Sequence, residues 1–153
     1  MKHRQVTQTG MNLIKHFEGF SPVPYVCSGG YPTIGYGHVI KPHESFTRPL
    51  SKQEASALLA KDLFIAERAV LRLIQVPLED SQFDSLTSFT FNVGSGALQR
   101  STLRQRLNRG DYDVGNEFLK WIWAGGRVVR GLVRRRIAEK TMFEGGIDGT
   151  VHT

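Results

Sequence analysis

The chain has 153 residues, 40% of them hydrophobic, enough for one domain with a real core or two lobes sharing a helix; that composition excludes a disordered chain. Cys27 is the single cysteine, so neither an intramolecular disulfide nor a structural zinc site built on thiolates is available. The formal net charge of +6 favours anionic partners without choosing among nucleic acid, anionic lipid and acidic cell-wall polymer.

Residues 1–10, MKHRQVTQTG, are basic but lack the apolar core of roughly 7–15 residues that a secretory signal needs. No run approaches the roughly 18 apolar residues of a membrane span, so the expectation is synthesis in the cytoplasm without a signal peptide or transmembrane anchor. Leu13 and Phe17, with Ile14 beside them, predict a helix over 9–17, stopped by Gly19. Glu18 then stands at a helix C-terminus. From 21 to 47 the prolines and glycines break any helix, while Tyr25, Val26, Tyr31, Ile34, Tyr36, Val39 and Ile40 suit short strands and Gly29-Gly30 suits a hairpin turn. A small antiparallel sheet is expected there. SKQE at 51–54 is a capping box, Ser51 with Glu54, opening one long amphipathic helix to about residue 74. Further helices are expected around 83–93, ended near Gly94; around 103–107, ended by Gly110; around 118–122, ended by Gly125-Gly126; and over 132–143, closed by Gly145-Gly146. Trp121 and Trp123 read as core aromatics. Half of the 20 basic residues lie between Arg100 and Arg136, against three acids, Asp111, Asp113 and Glu117; this is either a solvated surface or a binding face.

The informative stretch is 18–38, EGFSPVPYVCSGGYPTIGYGH. Eight residues separate Glu18 from Cys27 and five separate Cys27 from Thr33. This spacing resembles the catalytic signature of the phage endolysin lysozymes, glycoside hydrolase family 24: Glu, eight residues, Asp or Cys, five residues, Thr. TIGYGH from Thr33, the capped helix, FNVGSGAL at 91–98, STL at 101–103, LNRGDY at 107–112, WAGG at 123–126 and GLVRRR at 131–136 resemble that family's segments in its order. The resemblance implies an α+β, lysozyme-like two-lobed fold. A small sheet lobe over about 19–50 and a helical lobe over about 75–146, which takes in the N-terminal helix, are joined by the long helix 51–74 within one domain, 1–153. It implies a muramidase that cleaves the β-1,4 bond between N-acetylmuramic acid and N-acetylglucosamine of peptidoglycan, with Glu18, Cys27 and Thr33 catalytic, Asn92 and Arg134 facing the saccharide, and His38 paired structurally with Asp62. It further implies host lysis after release to the wall through a holin, by a monomer without cofactor or metal.

The residues fit such chemistry. Glycoside hydrolysis needs a proton for the leaving oxygen and a nucleophile or placed water on the other side of the sugar. A helix C-terminus favours the neutral carboxyl by about 0.3–1 kcal/mol, and desolvation against Phe17 and Tyr25 is expected to add to it. Thr33 can orient a water. Cys27 stands where some family members carry Asp. It either attacks carbon directly, holds a water with Thr33, or packs as a small hydrophobe. His38 reads as a structural histidine rather than a base or ligand, and His3, His16, His43 and His152 show no metal-like spacing. Two other readings remain: a thiol hydrolase using Cys27 and His38, and a nucleic-acid binder on the basic face, though no nucleic-acid motif accompanies the charge and no such partner is expected.

Overall fold

A computed structural model describes residues 3–145; Gly146 and His152, both named above, lie outside them. The chain is mixed helix and small antiparallel sheet. It divides into two compact units, one of Ile14–Phe64 and one of the described residues on either side. Helix α1, Gln8–Glu18, contributes to both.

Within 14–64, α1 ends at Glu18. The Gly19 N–H donates to the Lys15 carbonyl at 3.0 Å while its φ of +72° turns the chain away. Strands β1 (Ser21–Val26), β2 (Pro32–Gly35) and β3 (His38–Val39) form an antiparallel sheet in the order β1-β2-β3, with Tyr25 opposite Thr33 and Ile34 opposite His38. Helix α2, Lys52–Asp62, opens with the capping box intact. Ser51 Oγ accepts the Glu54 N–H and a Glu54 carboxylate oxygen accepts the Ser51 N–H, both at 3.0 Å. It packs on β2 and β3 through Ala55 and Leu59, which are buried with Ile34 and Leu63.

The single long helix expected over 51–74 is two helices, α2 and α3 (Phe64–Leu73). Leu63, the one residue between them, keeps a right-handed helical backbone (φ −72°, ψ −16°), and its N–H still donates to the Leu59 carbonyl at 2.9 Å, so the interruption is confined to that residue. The break falls beside the boundary between the two units, a tertiary feature that the hydrophobic stripe cannot show.

The second unit is helical: α3, α4 (Asp80–Val93), α5 (Ser95–Arg100), α6 (Thr102–Asn108), α7 (Gly115–Phe118) and α8 (Arg130–Phe143). Its core joins Val70 and Ile74 to Phe83, Leu86, Phe89, Leu98, Leu103, Leu107, Phe118 and Phe143. Phe89 meets Phe118 and Trp121 edge-on at 5.4 and 5.6 Å, and each buried ring contributes about 1.5–3 kcal/mol. The helix expected around 118–122 stops at Phe118. A two-stranded hairpin follows, β4 (Trp123–Ala124) paired with β5 (Arg127–Val128). Gly125 and Gly126, with φ of +59° and +79°, form its turn, the backbone a tight hairpin demands. Trp123 is therefore not core: it is 62% exposed, whereas Trp121 packs on Phe89. None of the described helices is long and apolar enough to cross a membrane.

The start of α1 depends on a missing side chain. Asp84 of α4 accepts the Thr7 N–H at 2.9 Å and the Thr7 hydroxyl at 2.5 Å, and a Cβ on Gly10 would stand only 2.5 Å from its carboxyl carbon. Alanine is the better helix former by about 1 kcal/mol. Gly10→Ala is nevertheless expected to destabilise the chain, by about 1–3 kcal/mol as overpacking does, seen as a lower urea midpoint at unchanged m-value.

Candidate functional site

Glu18, Cys27 and Thr33 all belong to the unit 14–64. The β1–β2 connection sets the sulfur. The Cys27 N–H donates to the Tyr31 carbonyl at 3.0 Å and the Gly30 N–H to the Cys27 carbonyl at 2.8 Å, closing a turn in which Gly30 has φ +85°. The turn carries the Cys27 side chain onto the hydroxyl of Thr33, which lies buried at the start of β2. That contact holds the thiol below its ordinary range, with the Tyr31 and Gly29 backbone N–H groups adding to it. Thr33 also donates to the Tyr31 carbonyl at 2.9 Å. A hydroxyl has one proton, so donation to Tyr31 and donation to sulfur are alternatives. With the thiol protonated, Thr33 serves Tyr31 and accepts from sulfur; with the thiolate formed, the hydroxyl turns to it.

Glu18 lies half-buried at the end of α1, its carboxylate against the turn between β2 and β3. Tyr25, opposite Thr33 in the sheet, lies near enough to feel both Glu18 and the sulfur. The phenol is raised above its ordinary pKa, first by partial burial and then by the charges of Cys27 and Glu18. Tyr25 is 39% exposed, so it edges the site rather than sealing Glu18 from water, as the sequence suggested.

His38 stands apart from this trio in its contacts. Its Nδ1 is 2.7 Å from Asp62 Oδ2, at the end of α2, and its Nε2 is 2.9 Å from Glu44 Oε1. The second carboxylate was not foreseen. Glu44 comes from the turn 41–44, where its own side chain accepts the Lys41 N–H at 2.7 Å, a local loop closure without a periodic signal. Both ring nitrogens are occupied, which leaves no lone pair facing Cys27 for a thiol–base pair. Among the described residues no cluster of three His, Cys, Asp or Glu side chains could hold a metal.

In the helical unit, Asn92 lines a cavity of about 510 Å³ together with Arg100, Lys120, Trp121, Trp123 and Leu132. The arginine that reaches Asn92 is Arg136, whose guanidinium donates to Asn92 Oδ1 at 2.5 Å; Arg134 is exposed, without a contact to Asn92. One residue of helix is a rotation of about 100°, which puts Arg134 outside and Arg135 and Arg136 inside. Arg135 and Arg136 flank the buried Glu139, with Arg135 Nε 3.1 Å from its Oε2 and Arg136 Nε 3.0 Å from its Oε1. Ser88 donates to Glu139 Oε2 at 2.6 Å. Burial pushes the Glu139 carboxyl up and the Arg136 guanidinium down, each away from its charged form.

Glu44 yields a test in pH. The Lys41 N–H, with His38 adding, holds its carboxyl below the usual range. A depressed acid stabilises the fold above its unfolded value, about 4.3, and that contribution is lost as pH falls through the lower folded value. The melting-temperature deficit of Glu44→Gln is therefore expected to be full near neutrality and to shrink in thermal melts taken below about pH 4.

The phage lysozyme family model matches residues 15–139. An endolysin of Bacillus phage B103 is 45% identical over 144 residues, 90% of this chain and 53% of that protein. An endolysin of Acyrthosiphon pisum secondary endosymbiont phage 1 is 37% identical over 91% of this chain and 97% of its own length. The chain thus spans about half the length of the first relative and nearly all of the second. Among solved structures, an endolysin from Escherichia coli O157:H7 phage FAHEc1 is similar with a TM-score of 0.86 at 30% identity, covering 95% of this chain and 97% of that one. With its helix-end glutamate, its sulfur–hydroxyl pair and these similarities in sequence and structure, the chain belongs to the phage lysozyme family.

Proposed function

We propose that this chain is an endolysin muramidase that hydrolyses the β-1,4 bond between N-acetylmuramic acid and N-acetylglucosamine in bacterial peptidoglycan. One observation carries the assignment of roles. Cys27 and Thr33 share a hydrogen bond that stabilises the thiolate, in the same small unit as a carboxyl group held at a helix end. In this reading Glu18 donates its proton to the leaving glycosidic oxygen. A water held by Cys27 and Thr33 attacks the anomeric carbon from the other side, its proton passing to sulfur, and the products are a reducing-end sugar and a free hydroxyl with inversion. His38, Asp62 and Glu44 keep the sheet and α2 in place. Asn92, supported by Arg136, and the exposed Arg134 bind the saccharide.

The same reading has the protein made in the host cytoplasm, passing a holin to reach the wall, and acting there as a monomer. Its basic face takes part by holding the anionic envelope, but that face is smaller than the composition suggests. Of the ten cations in 100–136, Arg135 and Arg136 are buried. Arg106 is held by Asp111 and Glu117 and Lys120 by Glu117. Arg127, Arg130 and Arg134 are exposed and make no ion pair among the described residues.

Glu18→Gln is expected to lower lysis of purified peptidoglycan by about 10²–10⁴-fold, the usual share of general acid–base catalysis; near-normal lysis by that variant would end this reading. Cys27→Asp should retain activity, Cys27→Ala should lose most of it and Cys27→Ser should fall between. NMR should show the inverted anomer first, and a sugar trapped on Cys27 would replace the water with direct attack. Mass spectrometry should find reducing ends; anhydro-sugars would make the chain a transglycosylase, and new amino groups an amidase or peptidase. For the basic face, charge reversal at Arg127 and Arg130 is expected to slow lysis at low salt and to matter less above about 0.15 M, where the Debye length is about 8 Å. Equal rates at every ionic strength would remove that role.

A further inference from the structure

Resting on the role proposed for Glu18, we infer that Gly37 is a positioning residue for the general acid: its missing side chain is the space in which the Glu18 carboxyl sits. Gly37 lies in the two-residue turn between β2 and β3, with φ +77°. A Cβ built there would stand 2.6 Å from Glu18 Oε1, 3.5 Å from its carboxyl carbon and 3.8 Å from its Cβ. Ordinary contact begins at 3.4 Å, so the oxygen would have to retreat by about 3.4 − 2.6 = 0.8 Å.

The contact involves the reacting end of Glu18 and not merely its stem, because the nearest of the three atoms is the carboxyl oxygen. Other glycines with positive φ make no such approach. Gly19, Gly30 and Gly110 have nothing within 4 Å of the added carbon, and Gly35 meets only Ala55 and Leu50. At those positions the chain needs glycine for its backbone or for packing on α2. At Gly37 it needs glycine for its backbone and also to leave the acid its place. The turn thus presses on one side of the carboxyl and α1 carries the other, which fixes the proton donor relative to the sheet bearing Cys27 and Thr33. A misplacement near 1 Å in a reacting group costs about 10²-fold in rate.

The test compares Gly37→Ala with Gly110→Ala, which bears a similar positive-φ strain far from Glu18 in sequence and in the other unit. Both variants should melt lower than the parent. On purified peptidoglycan, Gly37→Ala should lose about 10²-fold in kcat with KM changed by no more than a few-fold, and its pH–rate profile should move, while Gly110→Ala keeps the parent rate and profile. In the Glu18→Gln background, Gly37→Ala should cost nothing further, because it acts through the carboxyl that is already gone. The 13C resonance of the Glu18 carboxyl should be displaced in Gly37→Ala and not in Gly110→Ala. If Gly37→Ala does not fold, Gly37→Asn serves with the same readouts, since asparagine tolerates positive φ and still adds the carbon. A Gly37 variant as active as Gly110→Ala, a loss that repeats in full in the Glu18→Gln background, or an unmoved Glu18 resonance would each overturn the inference. An active Glu18→Gln would instead sink the proposed function, and the carboxyl resonance alone would then decide whether Gly37 positions Glu18.

Discussion

The small unit is governed by how tightly its backbone can reverse. Between Glu18 and His38 the chain leaves a helix, lays down β1, turns, lays down β2 and turns again, and it uses positive φ at Gly19, Gly30, Gly35 and Gly37 to do so. An L-residue with a Cβ is disfavoured in that region of backbone space. With these glycines in place, Tyr25 falls opposite Thr33, Cys27 hangs over the strand it faces, and the β2–β3 turn comes back to the end of α1. Long elements and a large core are not needed. The unit has few buried apolar side chains, and its order comes from turns, a capped α2 and a histidine gripped by two carboxylates.

The helical unit is held by different means. Its aromatic cluster, Phe89 against Phe118 and Trp121 and Phe118 against Phe143, is a conventional apolar core. Beside it, α4 and α8 meet through Ser88 and the charged Arg135, Arg136 and Glu139, all with almost no exposure, and the Arg136 guanidinium also lies 5.1 Å over the Phe89 ring. A stretch of sequence as polar as 130–140 reads as surface. Its burial is possible because the charges face one another and Ser88 and Asn92 supply further hydrogen-bond partners.

How far the sequence announces all this differs by element. The capping box and the stops at Glu18, Gly94 and Gly110 are local statements, written within a few residues, and the structure has each element where that local chemistry puts it. Features made by partners distant in the chain, or by elements shorter than one period, are silent. The strands of the 123–128 hairpin have two residues each, too short for alternation, so the glycine pair between them passes for a helix stop. Three successive arginines look alike in composition, and only their register on α8 separates the exposed Arg134 from the buried Arg136 that meets Asn92. Glu44 is six residues from His38 across an irregular loop, where no pattern relates the two.

The cluster on α8 also constrains how the sequence can drift. Removing one member of a buried charge group strands the others and typically costs about 3–5 kcal/mol, whereas replacing the whole group by well-packed apolar residues is often neutral or better. Glu139 with Arg135, Arg136 and Ser88 therefore forms a single heritable unit. Its intermediates are penalised while its endpoints are not, so related chains should either hold the set intact or have exchanged it whole. The polar face of one helix thereby binds the history of α8 to that of α4, a linkage no individual residue in the set reveals.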